Sequence, residues 1–236
     1  SCADNFITFK QVVKTIASRN GLFASFLPKP LPDKSGSGLH INLSLSRNGV
    51  NIFKLGDSEY SGVTESFIAG ILDKTPEITA FLNPLPNSYD RLGSFEAPKY
   101  VSWSYSNRSQ LIRIPAANSE RCRMELRSPD PSTNPYLAFA LVISAGAYGI
   151  EKGLKLKDSI NVDLYQADKS ITDSLVRLPE TLDEALNLAK GSELVKSTLN
   201  EELILRFLHL KTLELEANQQ AVNKHDYFFN NYFKVI

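Results

Sequence analysis

Hydrophobic and polar residues alternate in one short stretch near the middle of the chain. Met124 and Leu126 are spaced as the inward-facing residues of a strand and are predicted to anchor a core. Arg123, Glu125 and Arg127 are predicted to share the opposite face. Guanidinium groups bind phosphate or carboxylate, and a Glu oxygen is a ligand that Mg²⁺ accepts. The pattern fits a site for a divalent metal and anionic groups, and it also fits a solvated strand with a structural ion pair.

A second alternation covers residues 39–46 and follows a loop that contains two glycines. Its polar face is predicted to carry His40, Asn42, Ser44 and Ser46. Glycine lets a backbone approach a ligand closely, and His is a common metal ligand but an unusual choice for a solvated face. A half-exposed surface strand has the same pattern, so both interpretations stay open.

Further strands are predicted at residues 22–27 and 100–106. Arg113 lies between two isoleucines, so its side chain is expected to point into a polar cleft. The segment 83–98 is rich in turn formers and carries Arg91 and Glu96, which suits either a lid or a plain connector.

The remaining elements are helices, predicted from apolar residues three and four positions apart. Asn134 as cap and Pro135 as first residue begin a helix whose apolar run extends to Ile150. His209, among leucines, is predicted to be a packing residue. The other helices are predicted at residues 6–16, 61–73, 76–82, 181–190, 200–220 and 227–233.

Charge and composition argue against several classes of function. The 236 residues contain 26 Lys+Arg and 26 Asp+Glu, so the net charge is zero. There is therefore no overall positive charge that would attract nucleic acid or an anionic membrane. Cys2 and Cys122 make no disulfide framework. No apolar run reaches membrane-spanning length, and the first residues lack the pattern of a secretion signal, so a cytoplasmic location is expected.

Six ordered motifs resemble the catalytic-domain signatures of the glutamine synthetase family. They are GSGLH at 36–40, NSYDRL at 87–92, EAP at 96–98, NRS at 107–109, RIP at 113–115 and RMELRSPD at 123–130. The resemblance covers nearly the whole chain. It implies an α+β fold of the glutamine synthetase/guanido kinase-like type, a curved, mainly antiparallel sheet backed by helices.

The resemblance also implies a reaction. ATP would phosphorylate the γ-carboxylate of glutamate, and ammonia would displace the phosphate to give glutamine, with Mg²⁺ or Mn²⁺ as cofactor. Metals and arginines carry most of the catalysis in phosphoryl transfer because they neutralise the spread negative charge. Glu96 matches the flap carboxylate that shields the intermediate from water and deprotonates ammonium.

Individual residues take the following roles from the resemblance. The metal ligands would be His40 and Glu125, and the residues that bind glutamate and its phosphorylated form would be Gly36, Arg91 and Arg127. The residues that contact ATP and its phosphates would be Ser44, Arg108, Arg113 and Arg123. The catalytic residues would be Glu96 and Arg108.

Three departures from the family pattern concern the substrate. Asn42 stands where bacterial members commonly place a second His, and Ser35 stands where Asn is usual. The segment RLGSFE at 91–96, which contains the matched flap carboxylate, is one residue shorter than the common bacterial pattern. A γ-glutamyl-amine or polyamine ligase is therefore an alternative function. A non-catalytic, assembly-forming relative is a separate alternative, which the presence of the matched site residues disfavours.

The chain is expected to be the C-terminal part of a type I-like catalytic domain. Residues 1–236 contain neither the family's small N-terminal β-grasp domain nor the upstream glutamates that supply most of its metal ligands. The parent protein is expected to be a ring-forming homo-oligomer with its active site between neighbouring subunits. The 236-residue chain alone is therefore expected not to make glutamine.

Overall fold

A four-stranded sheet lies at the centre of the computed structural model, which describes residues 1–56, 58–118, 120–233 and 235–236. The strands are β1 (Ile41–Leu43), β2 (Ser46–Arg47), β3 (Val50–Asn51), β4 (Trp103–Tyr105), β5 (Ile112–Ile114) and β6 (Met124–Leu126). The helices are α1 (Cys2–Arg19), α2 (Ser61–Leu82), α3 (Pro86–Tyr89), α4 (Pro135–Lys152), α5 (Lys169–Thr172), α6 (Leu182–Gly191), α7 (Glu193–Thr198), α8 (Glu201–Gln220) and α9 (Lys224–Asn231). None of the described helices is both long and apolar enough to cross a membrane.

The sheet has the order β1-β6-β5-β4, and only its β4–β5 pair is parallel. The mainly antiparallel, α+β prediction is therefore confirmed. Asn42 on β1 and Arg113 on β5 both stand opposite Glu125 on β6. Residues directly opposed on neighbouring strands share a face, so this register collects polar side chains on one side of the sheet.

The other face of β6 belongs to the hydrophobic core. Met124 and Leu126 are fully buried, as their alternation predicts, and they belong to one apolar cluster with Leu141 and Val142 of α4. Helix α4 begins as predicted, because the Asn134 side chain accepts a hydrogen bond from the Tyr136 N–H and Pro135 takes the first helical position.

Helices α2 and α4 approach each other closely through glycines. A Cβ atom at Gly149 would collide with the carbonyl oxygen of Ser66 and would lie 2.7 Å from the Cα atom of Gly70. Because these neighbours are backbone atoms, the clash can be relieved only by moving the two helices apart.

We expect Gly149→Ala to lower the free energy of unfolding by about 1–3 kcal/mol, because overpacking outweighs the better helix propensity of Ala. Urea unfolding of the purified protein measures the change. Gly191→Ala is the matched control, since a Cβ there meets no atom within 4 Å. A similar gain in stability for both variants would contradict the proposed close packing.

Several predicted elements differ from the structure. Residues 22–27 form no strand, and Leu22 and Phe23 are exposed. The two helices predicted at 61–73 and 76–82 are one helix, α2, which runs through Pro76. Its residues on both sides of the proline are buried, so packing outweighs the missing N–H of Pro76.

Smaller corrections concern the second alternation and the C-terminal part of the chain. The strand predicted at 39–46 is interrupted after Leu43, although its polar and apolar faces are as predicted. The last helix begins at Lys224, because the Asn223 side chain accepts from two N–H groups of its first turn. His209 is exposed on α8 and does not pack into the core.

Candidate active site

Glu125 is the centre of the candidate active site. Its Oε1 atom lies 2.6 Å from His40 Nδ1 and 3.0 Å from Arg127 Nη1. Its Oε2 atom accepts from Arg113 Nε and also lies 2.6 Å from Arg113 Nη2. The residue is 5% exposed. One carboxylate therefore gathers basic side chains from β5, from the end of β6 and from the residue before β1.

These contacts change the pKa of the central pair. Burial favours the protonated form of Glu125, but the charge of Arg127 and the charge and hydrogen bond of Arg113 outweigh it and hold its pKa below the usual value, and His40 adds to this effect only when it is protonated. Burial and the nearby charge of Arg127 lower the pKa of His40, and Glu125 only partly opposes them. His40 is consequently neutral near pH 7, the form that binds metal ions.

Arg127 joins three parts of the site. Besides its contact with Glu125, its Nε atom donates to the carbonyl oxygen of Arg108 at 3.1 Å. Its Nη2 atom donates to the carbonyl oxygen of Glu96 at 3.2 Å. The side chain is only 3% exposed, and the planar guanidinium fixes the relative positions of β6, the segment after β4 and the loop that carries Glu96.

Arg91 is held against the same strand from the other side. Its Nη1 atom donates to the carbonyl oxygen of Ser128 at 2.7 Å, and its Nη2 atom donates to that of Arg127 at 3.2 Å. Gly38 lies directly over the guanidinium, where a Cβ atom would be 2.5 Å from Nη2. A Cβ at Gly36 would collide with the carbonyl oxygen of Pro28. The glycine loop, residues 34–38, thus fits against Arg91 only because it lacks these side chains.

The flap, residues 93–97, has an unusual backbone. Phe95 and Glu96 adopt φ angles of 48° and 69°, in the left-handed region that non-glycine residues seldom occupy. Arg108 Nη1 lies 3.2 Å from Glu96 Oε1, but both side chains are more than half exposed, so this ion pair stabilises the flap little. The conformation needs other support from the surrounding structure.

A cavity of about 400 Å³ lies between the glycine loop, the flap and the sheet. Its lining residues are Ser35, Gly36, Gly38, His40, Arg91, Phe95, Glu96 and Arg127. The structure thus brings together the residues predicted for metal and glutamate binding. Arg113 and Arg108 lie next to them, because Arg113 contacts Glu125 and Arg108 contacts Glu96.

Two predicted nucleotide contacts lie outside this cavity. Ser44 is exposed beyond the end of β1, and Arg123 donates to Asn42 Oδ1 at 3.0 Å. Conversely, sequence reasoning assigned no role to Tyr165, Phe95 or Lys29, which all contact the flap or belong to it. Lys29 lies between two prolines, which indicate a stiff, extended segment, whereas Tyr165 lies in an irregular segment without any pattern.

Comparisons with known proteins identify the family of this chain. The family model described as glutamine synthetase, catalytic domain, matches residues 1–231. The chain belongs to the glutamine synthetase family. Glutamine synthetases from Methanosarcina mazei and Thermus thermophilus are each 43% identical to it, over 99% and 94% of this chain. These matches cover 53% and 51% of the two relatives, so the chain spans about half the length of the curated glutamine synthetases that it matches.

A solved structure also matches this chain. It is described as the GmaS/ADP complex in conformation 1, is 29% identical, and superposes with a TM-score of 0.82. The match covers 97% of this chain and 53% of the other.

The glutamine synthetase family implies a divalent metal, and two residues of this site, His40 and Glu125, are suited to bind it. The side chains of His40 and Glu125 lie side by side, with Nδ1 in direct contact with Oε1 at 2.6 Å, and imidazole nitrogen and carboxylate oxygen are both suitable ligands. Among the residues that the structure describes, no group of three or more His, Cys, Asp or Glu side chains could hold a metal ion. The described residues therefore fit as two ligands of an incomplete set.

Tyr165 supports the flap of this glutamine synthetase domain. Its hydroxyl donates to the carbonyl oxygen of Ala97 at 2.9 Å, and the same carbonyl accepts from the Gly93 N–H at 3.1 Å. Burial raises the pKa of Tyr165 to about 12, so the hydroxyl keeps its proton near neutral pH. Tyr165 is thereby a permanent donor to the flap.

We expect Tyr165→Phe to speed hydrogen exchange at the Gly93 amide about 5-fold, because one hydrogen bond contributes about 1 kcal/mol. Mass spectrometry of peptides that cover residues 93–97 measures the change. Tyr105→Phe is the control, because Tyr105 is similarly exposed but lies outside the flap. Unchanged exchange in Tyr165→Phe would show that the flap holds its conformation without the hydroxyl.

Proposed function

We propose that this chain forms the glutamate-binding and phosphoryl-transfer part of an ATP-dependent glutamate–ammonia ligase. The observation that carries the proposal is the convergence of His40, Arg113 and Arg127 on Glu125, beside a cavity that Glu96 helps to line. A reaction that joins a carboxylate, a phosphoryl group and ammonium needs cationic donors, metal ligands and a base close together.

Glutamate is proposed to bind in the cavity between the glycine loop and Arg127. The backbone at Gly36 can approach the amino acid closely, because the residue has no side chain. Arg91 and Arg127 place two guanidiniums against the cavity, and both are rigidly held by carbonyl groups. Rigid donors are suited to a carboxylate that must be presented to ATP in one orientation.

Arg113 and Arg108 are proposed to neutralise the transferred phosphoryl group. Arg113 already contacts Glu125, and Arg108 contacts Glu96 through an exposed ion pair that breaks at little cost. A divalent metal held by His40 and Glu125 would supply a Lewis acid for the phosphate oxygens. The proposed metal is Mg²⁺ or Mn²⁺, as the family resemblance implies, and the carboxylate oxygen of Glu125 is the type of ligand that both ions accept.

Glu96 is proposed to act after phosphoryl transfer. Its carboxylate lies on the flap at the wall of the cavity, where it can accept a proton from ammonium. The closed flap would also exclude water, which otherwise hydrolyses the acyl phosphate.

ATP is the proposed phosphoryl donor, with Ser44 and Arg123 as contacts at the outer end of β1. The ADP of the matched complex supports nucleotide binding by this fold. We further propose a cytoplasmic location, a ring-forming homo-oligomeric parent, and a 236-residue chain that is inactive alone. The last proposal is supported by the incomplete ligand set of the described residues.

The test uses the full-length protein that contains this chain. Glutamate-dependent ADP release is measured with ammonia, methylamine or a polyamine as the acceptor, and the products are identified by mass spectrometry. Glutamine as the main product would support the proposal. A γ-glutamyl amine as the main product would contradict it and favour the alternative, a γ-glutamyl-amine ligase. No ADP release with any acceptor would favour a non-catalytic relative. Turnover by the isolated 236-residue chain in a γ-glutamyl transfer assay would refute its proposed inactivity.

A further inference from the structure

Lys29 is buried beside the cavity, yet the proposed reaction gives it no role. The residue is 7% exposed. The Asn87 side chain fixes its backbone on both sides, since Oδ1 accepts from the Lys29 N–H at 2.8 Å and Nδ2 donates to the Lys29 carbonyl at 2.9 Å. Pro28 and Pro30 restrict the backbone further. Lys29 is therefore a fixed point from which its side chain extends.

The ammonium group of Lys29 contacts two segments that are separate in sequence. It donates to the carbonyl oxygen of Lys34, in the glycine loop, at 2.5 Å. It also lies 4.1 Å from the centre of the Phe95 ring, in the flap. This distance is well within the range of a cation–π interaction, which is strongest when the cation is shielded from water.

Both segments form walls of the same cavity. The glycine loop contributes Ser35 and Gly36, and the flap contributes Phe95 and Glu96. The left-handed backbone at Phe95 and Glu96 is unfavourable and persists only with external support. The contact between the Lys29 ammonium and the Phe95 ring acts at the first of these two residues.

We propose that Lys29 is a positioning residue that couples the glycine loop to the flap. One ammonium group holds both walls, so the geometry that binds glutamate and the geometry that excludes water are set together. The consequence for catalysis rests on the proposed ligase function, whereas the coupling of the two segments does not.

The coupling is tested by hydrogen exchange in the full-length protein. Lys29→Met removes the charge but keeps an unbranched side chain, and we expect exchange to rise about 10-fold in peptides covering both 34–38 and 93–97. Lys29→Arg keeps a cation over the ring and should restore most of the protection in the flap. Phe95→Leu removes the ring and should loosen the flap even if Lys29→Met fails to fold.

Lys10→Met is the matched control. Lys10 also donates to a carbonyl oxygen, that of Pro131 at 2.8 Å, and lies 5.2 Å from the centre of the Phe26 ring. Neither Lys10 nor its partners line the cavity. Its replacement should leave both segments protected. A rise in exchange confined to one segment in Lys29→Met, or an equal rise in Lys10→Met, would overturn the coupling.

A second readout separates positioning from general destabilisation. The number of ATP molecules hydrolysed per product formed should rise several-fold in Lys29→Met, because a loosened flap admits water to the acyl phosphate. A purely structural loss would lower both rates and leave the ratio unchanged, which would overturn the catalytic part. If the unmodified protein forms no product, the proposed function fails, and the exchange experiment still decides the role of Lys29.

Discussion

Replacing Glu125 with Gln is expected to lower kcat/KM for glutamate about 10³-fold or more in the full-length protein. Gln keeps the shape of the side chain but removes the negative charge that gathers His40, Arg113 and Arg127. Loss of the proposed metal ligand, together with the orientation of two guanidiniums and the His40 imidazole, would remove several kcal/mol of transition-state stabilisation, and each 1.4 kcal/mol is a factor of ten. Steady-state kinetics at saturating ATP measures the effect.

The same substitution should also destabilise the fold. Arg127 would remain buried without its carboxylate, and breaking a buried ion pair from one side costs about 3 kcal/mol or more. Glu202→Gln is the control, since its partner Arg206 is exposed and the expected loss is about 0.5 kcal/mol or less. Thermal unfolding of both variants provides the comparison. If Glu125→Gln remained as active and as stable as Glu202→Gln, Glu125 could not be the centre of the site.

Replacing Arg127 with Lys is expected to have the second-largest effect on kcat/KM for glutamate. Lys retains the charge but cannot reach Glu125, the Arg108 carbonyl and the Glu96 carbonyl at once. The flap and the segment after β4 would then move relative to β6. Misplacement of substrate by about 1 Å can cost 10²-fold in rate, so we expect kcat/KM for glutamate to fall about 100-fold.

Two measurements make this prediction specific. Arg206→Lys, an exposed arginine with one acidic partner, should change neither kcat/KM nor stability measurably. In addition, the losses of Glu125→Gln and Arg127→Lys should not add in the double variant, because both residues belong to one contact network. Additive losses would show that the two residues act independently.

The sequence predicts the strand β6 and helix α4 well, because each has a local physical cause. Met124 and Leu126 repeat with the period of a strand and are fully buried, and the side chain of Asn134 caps the first turn of α4. The clustering of His40 with Glu125 also follows from alternation, once β1 and β6 pair.

The wrong predictions depend on contacts that are distant in sequence. The segment 22–27 has the composition of a strand, but it does not join the described sheet of β1, β6, β5 and β4, and membership of a sheet is not encoded locally. Pro76 indicates a break, yet burial on both sides of it keeps α2 continuous. The role of Tyr165 depends on Ala97, 68 residues away, and nothing in its own segment indicates that contact.

The pairing of β6 with its neighbouring strands has a consequence for thermal unfolding. A slip of the strand by one residue would send Glu125 into the apolar interior and Met124 into the cavity, since side chains alternate between faces. Such a slip is unfavourable because it would remove Met124 and Leu126 from the hydrophobic core, where both are fully buried. On heating, the cluster around Glu125 should therefore not be lost before the core unfolds, and loss of activity in the full-length protein and loss of the native fold should occur in one transition.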